Sequence, residues 1–380
     1  MQWLNRATRL GLGNVLRTPS RSVLTILALA VGGAAFMVAL NTGLAWDRAV
    51  DAEFEARQYE LAVDLGGIHP ADQVELALAG VSGVGAVETW NRYPSAAQLP
   101  TGGTGDGFDL FVPPDETVMV DFPVLEGRWL APDDQDAVVV TQALKDPSID
   151  VGSTLFLEID GVGSRWTVVG RVRQLTGGDN GAVYASNGPA GVGLAGSVNQ
   201  VRVAGGDGVG SILSAVEGRL IDNGIEVVAI ATAIEGRESL DDHLLIIVGL
   251  LIIMAILISV VGGLGLIEAM SISVLERRRE LGVMRAVGAS TRDVLWVVVV
   301  EGMAIAALSW LVALVLSIPA SVVVAGVTGD LFLQTPLSVS FSVTGVGLWF
   351  VIVVALAIVS SAIPALEATE SPVRQSLAHE

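Results

Sequence analysis

Four runs of the chain, 23–45, 244–267, 294–327 and 343–362, are apolar and, apart from Glu301, uncharged over twenty or more positions each. A helix that crosses a bilayer needs about 20 mostly apolar residues, so each run is long enough to span a membrane. The third is too long for one straight crossing. At about 1.5 Å per residue its 34 positions reach roughly 50 Å, against about 30 Å of hydrocarbon. Positions 294–302 are therefore expected at the membrane surface, with Pro319 placed to kink the outer half. The first run, with an uncharged core of 23 residues, exceeds a leader's apolar region of about 7–15 and is expected to remain as a span.

Arginine placement orients these spans, because short loops rich in Lys and Arg stay in the cytoplasm. Arg6, Arg9, Arg17 and Arg21 precede the first span, Arg277, Arg278, Arg279, Arg285 and Arg292 lie between the second and third, and Arg374 follows the fourth. All three segments fall on one side, so both termini are expected in the cytoplasm and 46–243 outside. Residues 3–16 mix apolar positions with Arg6 and Arg9, which fits a helix on the membrane surface or a plain tail.

The net charge of −19 is concentrated in 46–243, where 31 acids face 11 bases. Such a surface argues against a nucleic-acid partner, which needs clustered Lys and Arg. It reads either as a solvated acidic face or as one that attracts cationic peptides or drugs. No cysteine is present, which excludes disulfides and thiolate chemistry. The only lysine, Lys145, is followed by Asp146, so a Walker A loop is absent and ATP cannot be hydrolysed here by a P-loop site. His69, His243 and His379 have no second His or Cys at metal-ligand spacing, and there is no Gly-x-Ser-x-Gly elbow. Neither a cofactor nor an enzymatic activity of the chain itself is expected.

Between the first two spans the pattern is mixed. Residues 46–59 continue helically as a stalk with Trp46, Val50 and Phe54 on one stripe. Positions 59–65 alternate as a strand, 70–79 read as a short helix and 84–98 as a strand, making one β-α-β unit. A second follows from strand 200–203, helix 208–223 and strand 225–231. Short strands at 108–112, 137–141, 154–159, 166–172 and 182–185, broken by Gly, Pro and Asp, form an inserted β-rich lobe. The fold class expected is a four-span α-helical membrane protein with an α/β extracytoplasmic domain between helices 1 and 2.

After the second span comes Glu276-Arg277-Arg278-Arg279-Glu280-Leu281-Gly282-Val283-Met284-Arg285-Ala286-Val287-Gly288-Ala289-Ser290. Leu281, Met284 and Val287 recur at i, i+3, i+6 as an apolar face, opposite Glu276, Arg279 and Glu280, which describes a short amphipathic helix able to dock in a partner's groove. Gly282 and Gly288 allow close backbone approach, and Gly288 is placed to end the helix. A loop serving only to hold orientation would explain the arginines, but not the two acids or the glycine spacing. Two acids near the membrane, Glu268 and Glu301, are expected at the cytoplasmic interface, paired with Arg285 or Arg292, the alternative being functional acids within the membrane.

This stretch resembles the cytoplasmic signature of the FtsX/MacB-type ABC transporter permeases, E-R-x-R-E-[IL]-G-[VI]-x-R-A-[LV]-G-A-[ST]. Residues 12–29 are similar to the family's opening. Gly127-Arg128-Trp129-Leu130, 137–141, Val151-Gly152 and Val168-Val169-Gly170 resemble its inserted lobe, and Ile363-Pro364-Ala365 and Ser371-Pro372-Val373 its C-terminal tail. The resemblance implies three parts: an interfacial helix and first span in 1–45, a MacB-like periplasmic core domain with stalk ends in 46–243, and an FtsX-like permease domain in 244–380 with its coupling helix at 276–290. It further implies a separate ABC ATPase engaged through Glu276, Arg277, Arg279, Glu280, Leu281, Gly282, Met284, Arg285 and Gly288. A second permease copy or a paralogue would complete a dimer, and an extracytoplasmic adaptor or substrate-binding protein is a further partner. The work implied is export or extraction of a lipoprotein, peptide or drug. Alternatives are control of an extracytoplasmic cell-wall enzyme by the same coupling, and a membrane-anchored receptor without an ATPase.

Overall fold

A computed structural model of the chain describes residues 19–98, 104–144, 149–159, 162–175, 181–187, 196–206 and 208–370. The surface-helix reading of 3–16, Lys145 and the landmark at 371–373 lie outside them. The chain divides into two compact units. One holds the residues up to Trp46 with Leu244–Thr328 and those from Leu337 onward; the other holds Asp47–His243 and Gly329–Pro336.

Four helices are long and apolar enough to cross a membrane: α1 (Pro19–Glu55), α4 (Ala233–Glu276), α6 (Thr291–Phe332) and α7 (Val343–Glu370). A fifth, α5 (Arg278–Ala286), lies between the second and third. The membrane unit is built around Leu29, Met37, Met270, Val298, Ile305, Trp349 and Val353, contributed by all four long helices. A polar tie joins three of them. Asn41 on α1 donates to the Ser321 hydroxyl on α6 at 2.9 Å and accepts the Ser342 amide, just before α7, at 2.8 Å.

The first turns of the third span are covered by protein: Val294, Val297, Val298, Val299 and Val300 are all buried. An apolar run longer than the bilayer can be covered by neighbouring helices instead of by the interface, and Val294 and Val298 pack into the core just described. Pro319 lies inside this helix.

The other unit starts from β1 (Leu61–Pro70), α2 (Ala71–Leu78) and β2 (Val84–Gln98), and closes with β9 (Ser197–Gly205), α3 (Val209–Asp222) and β10 (Val227–Thr232). The strands lie in the order β10-β1-β9-β2, all neighbours antiparallel. Each β-α-β pair is thus split by a strand of the other, the arrangement of a ferredoxin-like sheet. Ile212, Val216 and Leu220 recur every four residues along α3 and join Val74 and Leu78 of α2 over Leu61, Val63, Val201 and Val203.

The inserted lobe contains β3 (Thr104–Val112), β4 (Val124–Gly127), β5 (Ala137–Thr141), β6 (Thr154–Ile159), β7 (Val162–Val172) and β8 (Ala182–Ala185). Strand β2 serves both parts. Its first half pairs with β9, and from Asn91 onward it pairs with β3 and β6. Pairing then runs β2-β3-β8-β5-β7-β6 and back to β2, so the lobe closes as a small barrel. Alternation does the filling. Val138, Val140, Val183 and Leu157 point inward with Trp166, while Val139 and Tyr184 point outward under Trp90, Met119 and Phe122. Both faces of β5 are covered, which is why all five of its residues are apolar or buried.

The stalk reading is corrected at its end. The helix stops at Glu55 rather than Tyr59, because Arg57 bridges Val120 and the Gln58 amide donates to the Met119 carbonyl. Where the sheet meets the lobe, Arg202 is 3% exposed, its guanidinium 3.4 Å from the Trp90 ring centroid and 4.6 Å from that of Tyr59. Stacking on aromatic faces is how this buried cation is accommodated. Close by, burial pushes the Tyr184 hydroxyl well above its ordinary pKa, and it donates to Gln174.

Candidate functional site

The segment singled out by sequence forms an elbow, a short helix and a turn. Helix α4 ends at Glu276, Arg277 breaks the helical geometry with φ −106 and ψ 10, and α5 starts at Arg278. At its far end Gly288 takes φ +107, a conformation that other residues enter only with strain. The Ala289 amide then reaches the Met284 carbonyl and the Gly288 amide that of Arg285, satisfying the last carbonyls of α5. Ser290 immediately caps α6: its hydroxyl and amide bond Asp293, and the Asp293 amide donates back to the hydroxyl. Gly-Ala-Ser is thus a helix stop followed by a helix start.

The apolar face of α5 divides in two. Leu281 is 5% exposed and belongs to the cluster of Met270, Val274, Val294 and Val298, with Met284 packed against it and Gly282 buried beneath. Val287 is instead 85% exposed and Val283 49%. Arg279, Glu280, Val283, Ala286 and Val287 form the outward side, with Glu276 exposed just before the elbow and Arg285 half-buried. The expectation that Leu281 and Met284 share an open face with Val287 is corrected: they hold α5 onto the helices beneath it.

Glu301 is buried on α6, about 15 Å along the axis from Thr291 at 1.5 Å per residue. The partners seen among the described residues are Arg277 and Ser273 rather than the expected Arg285 or Arg292. Arg277, at the elbow, reaches it at 3.1 Å, and the Ser273 hydroxyl donates to its other oxygen at 2.9 Å. Arg277 also donates to Glu280 at 3.2 Å. Ser273 lies four residues before Arg277, so one face of the α4 end supplies both contacts. A buried carboxylate without such partners would be strongly disfavoured. Glu268 sits on the exposed side of α4 and pairs with no cation among the described residues. Sequence reasoning missed Ser273, although its i, i+4 spacing from Arg277 was a usable signal.

Residues 22–233 match the MacB-like periplasmic core domain, more than half of the chain, and 252–373 match the FtsX-like permease C-terminal domain. The chain belongs to the FtsX/MacB-type ABC transporter permease family. The permease is 27% identical over 207 residues to an uncharacterized ABC transporter permease of Methanocaldococcus jannaschii. That alignment spans about half of each protein, 52% of this chain and 51% of the relative. Among solved structures, the periplasmic region of MacB from Actinobacillus actinomycetemcomitans covers 49% of the permease and 94% of its own length, at 13% identity and a TM-score of 0.34. The extracellular domain of the noncanonic ABC-type transporter YknZ from Gram-positive bacteria covers 44% and 100%, at 13% and 0.31. Scores this low add nothing to the assignment, which rests on the two family matches. The permease is a membrane protein with an extracytoplasmic α/β domain between its first two spans.

The lobe landmarks acquire a physical reason. Gly127, at φ +70, and Gly170 pack backbone against backbone: a Cβ on Gly170 would lie 2.0 Å from the Arg128 carbonyl oxygen. Trp129 then lies 5.2 Å from Tyr184, ring to ring, and Arg128 forks onto Asp134 at 2.7 and 2.6 Å. These residues build the lobe and make no catalytic constellation.

Proposed function

We propose that this permease is the membrane half of an ABC transporter in which a separate ATPase docks on the outward side of α5. Both termini and α5 lie in the cytoplasm in this reading, as the arginines favour. The observation that carries it is the division of α5. Leu281 and Met284 already have partners inside the permease, while Val283 and Val287 present apolar surface beside Arg279 and Glu280. An apolar pair rimmed by charges fits a groove on another protein. Movement of the ATPase on nucleotide binding is then passed to the spans and outward to the extracytoplasmic domain. The work done there is export or extraction of a lipoprotein, peptide or drug.

A second copy or a paralogue completes the assembly in this reading. Only 6% of the most apolar window of α4 is buried, against 50% for α1. Ile246, Leu250, Ile253, Leu257, Val260 and Leu264, spaced alternately by four and three, are all more than half exposed. That spacing is the seam of helices that pack side by side.

The test is co-expression with a candidate ABC ATPase, followed by co-purification. Val283→Asp with Val287→Asp should lose the ATPase, whereas Val118→Asp on the extracytoplasmic domain should retain it. Equal recovery of the ATPase with all variants contradicts docking at α5.

A further inference from the structure

We propose that the Arg277–Glu301 pair is the joint that makes α5 and the third span move as one body, and so transmits force from the ATPase without contributing to its binding. This rests on the docking proposed above. Arg277 is the single residue between α4 and α5 outside helical geometry, so without a brace the chain would bend there when α5 is pushed. The brace is a buried carboxylate. Glu301 has a side chain only 6% exposed, Arg277 15%, and the pair is closed by the Ser273 hydroxyl from the preceding turn of α4.

Two helices and the elbow beside them therefore meet at one carboxylate: α4 through Ser273, the α4–α5 elbow through Arg277, and α6 through Glu301 itself. Leu281 and Met284 hold α5 to the same core by apolar contact, which permits sliding. The ion pair resists it, because drawing the guanidinium and the carboxylate apart gives up a short attraction between two poorly solvated side chains. The outward residues Val283 and Val287 take no part in it. Binding is thus assigned to the outward side of α5 and transmission to the elbow at its start.

The experiment compares parent, Glu301→Gln, Glu301→Ala, Arg277→Lys and the exchanged pair Arg277→Glu with Glu301→Arg, each in nanodiscs with the co-expressed ATPase. Capture of the ATPase and stimulation of its ATP hydrolysis are read separately. Capture should stay at the parental level in Glu301→Gln and Glu301→Ala. Stimulation should fall about tenfold or more in Glu301→Ala, less in Glu301→Gln and Arg277→Lys, and recover in the exchanged pair. Parental stimulation by Glu301→Ala overturns the proposal. So does loss of capture in step with stimulation, since the pair would then merely hold the docking face. A parent that captures no ATPase contradicts the docking instead. The joint is then judged without a partner, by hydrogen exchange. Faster exchange of 278–287 in Glu301→Ala, restored by the exchanged pair, supports it, and unchanged exchange overturns it.

Discussion

Asn41 of the first span and Ser321 of the third are joined by a 2.9 Å hydrogen bond, and the same Asn41 holds the Ser342 amide at the start of the fourth. Water is scarce at such a site, so the side chain satisfies groups that have few other partners. Replacing Asn41 with Leu is expected to cost about 1–2 kcal/mol, a modest figure because membrane-unfolded states also find partners. The check is the unfolding midpoint in mixed micelles. Leu27→Ala, at a half-exposed position of the same helix, should shift it less.

In the lobe, the Arg128 guanidinium, helped by the Ala131 amide, holds the Asp134 carboxyl below its ordinary pKa. A depressed carboxyl contributes stability above its unfolded value near pH 4, and loses it as pH falls through the folded value. Thermal stability of the parent should therefore exceed that of Asp134→Asn by a constant amount above about pH 5, and the gap should narrow on acidification below about pH 4. A gap independent of pH would show that the loop is held by something other than this charge.

The fold was legible wherever short β-prone runs stood between clear breaks. Strands β5, β6 and β8 stand where the Gly, Pro and Asp breaks frame them, and the long β2 at 84–98 as expected. Strand β4 escaped because Val-Leu-Glu-Gly does not alternate and is exposed at all four positions; its pairing comes from β7, some forty residues away. Strand β1 runs on through Gly66 and Gly67 to Pro70, past the alternation that ends at Leu65. The face of α5 was misjudged for a geometric reason. Steps of three residues lag a full turn by about 60°, so Val287 lies roughly 120° around the helix from Leu281. The Glu301 pair was invisible for another: Arg277 is 24 residues away, and only the folded return of α6 brings them together.

Orientation is tested by single cysteines in a chain that has none of its own. Asp115→Cys should react with an impermeant thiol reagent on intact cells, and Arg278→Cys only after the membrane is opened. Labelling of Arg278→Cys on intact cells would reverse the assigned sides.

The exposed seam of α4 makes a similar assay possible. Leu257→Cys is expected to give a disulfide-linked pair of permeases in membranes, and Val315→Cys, on the third span, is not. Absence of the Leu257 cross-link would rule out self-association of two identical copies along this face.

Docking of an ATPase on the outward side of α5 is tested most directly by a photo-crosslinking residue placed at Val287 and, separately, at Leu281. Leu281 lies in the core and Val287, just past the end of α5, is exposed. The account predicts a cross-link from position 287 to the co-expressed ATPase, and from position 281 only to the permease's own helices. A cross-link to the ATPase from 281, or none from 287, would contradict it.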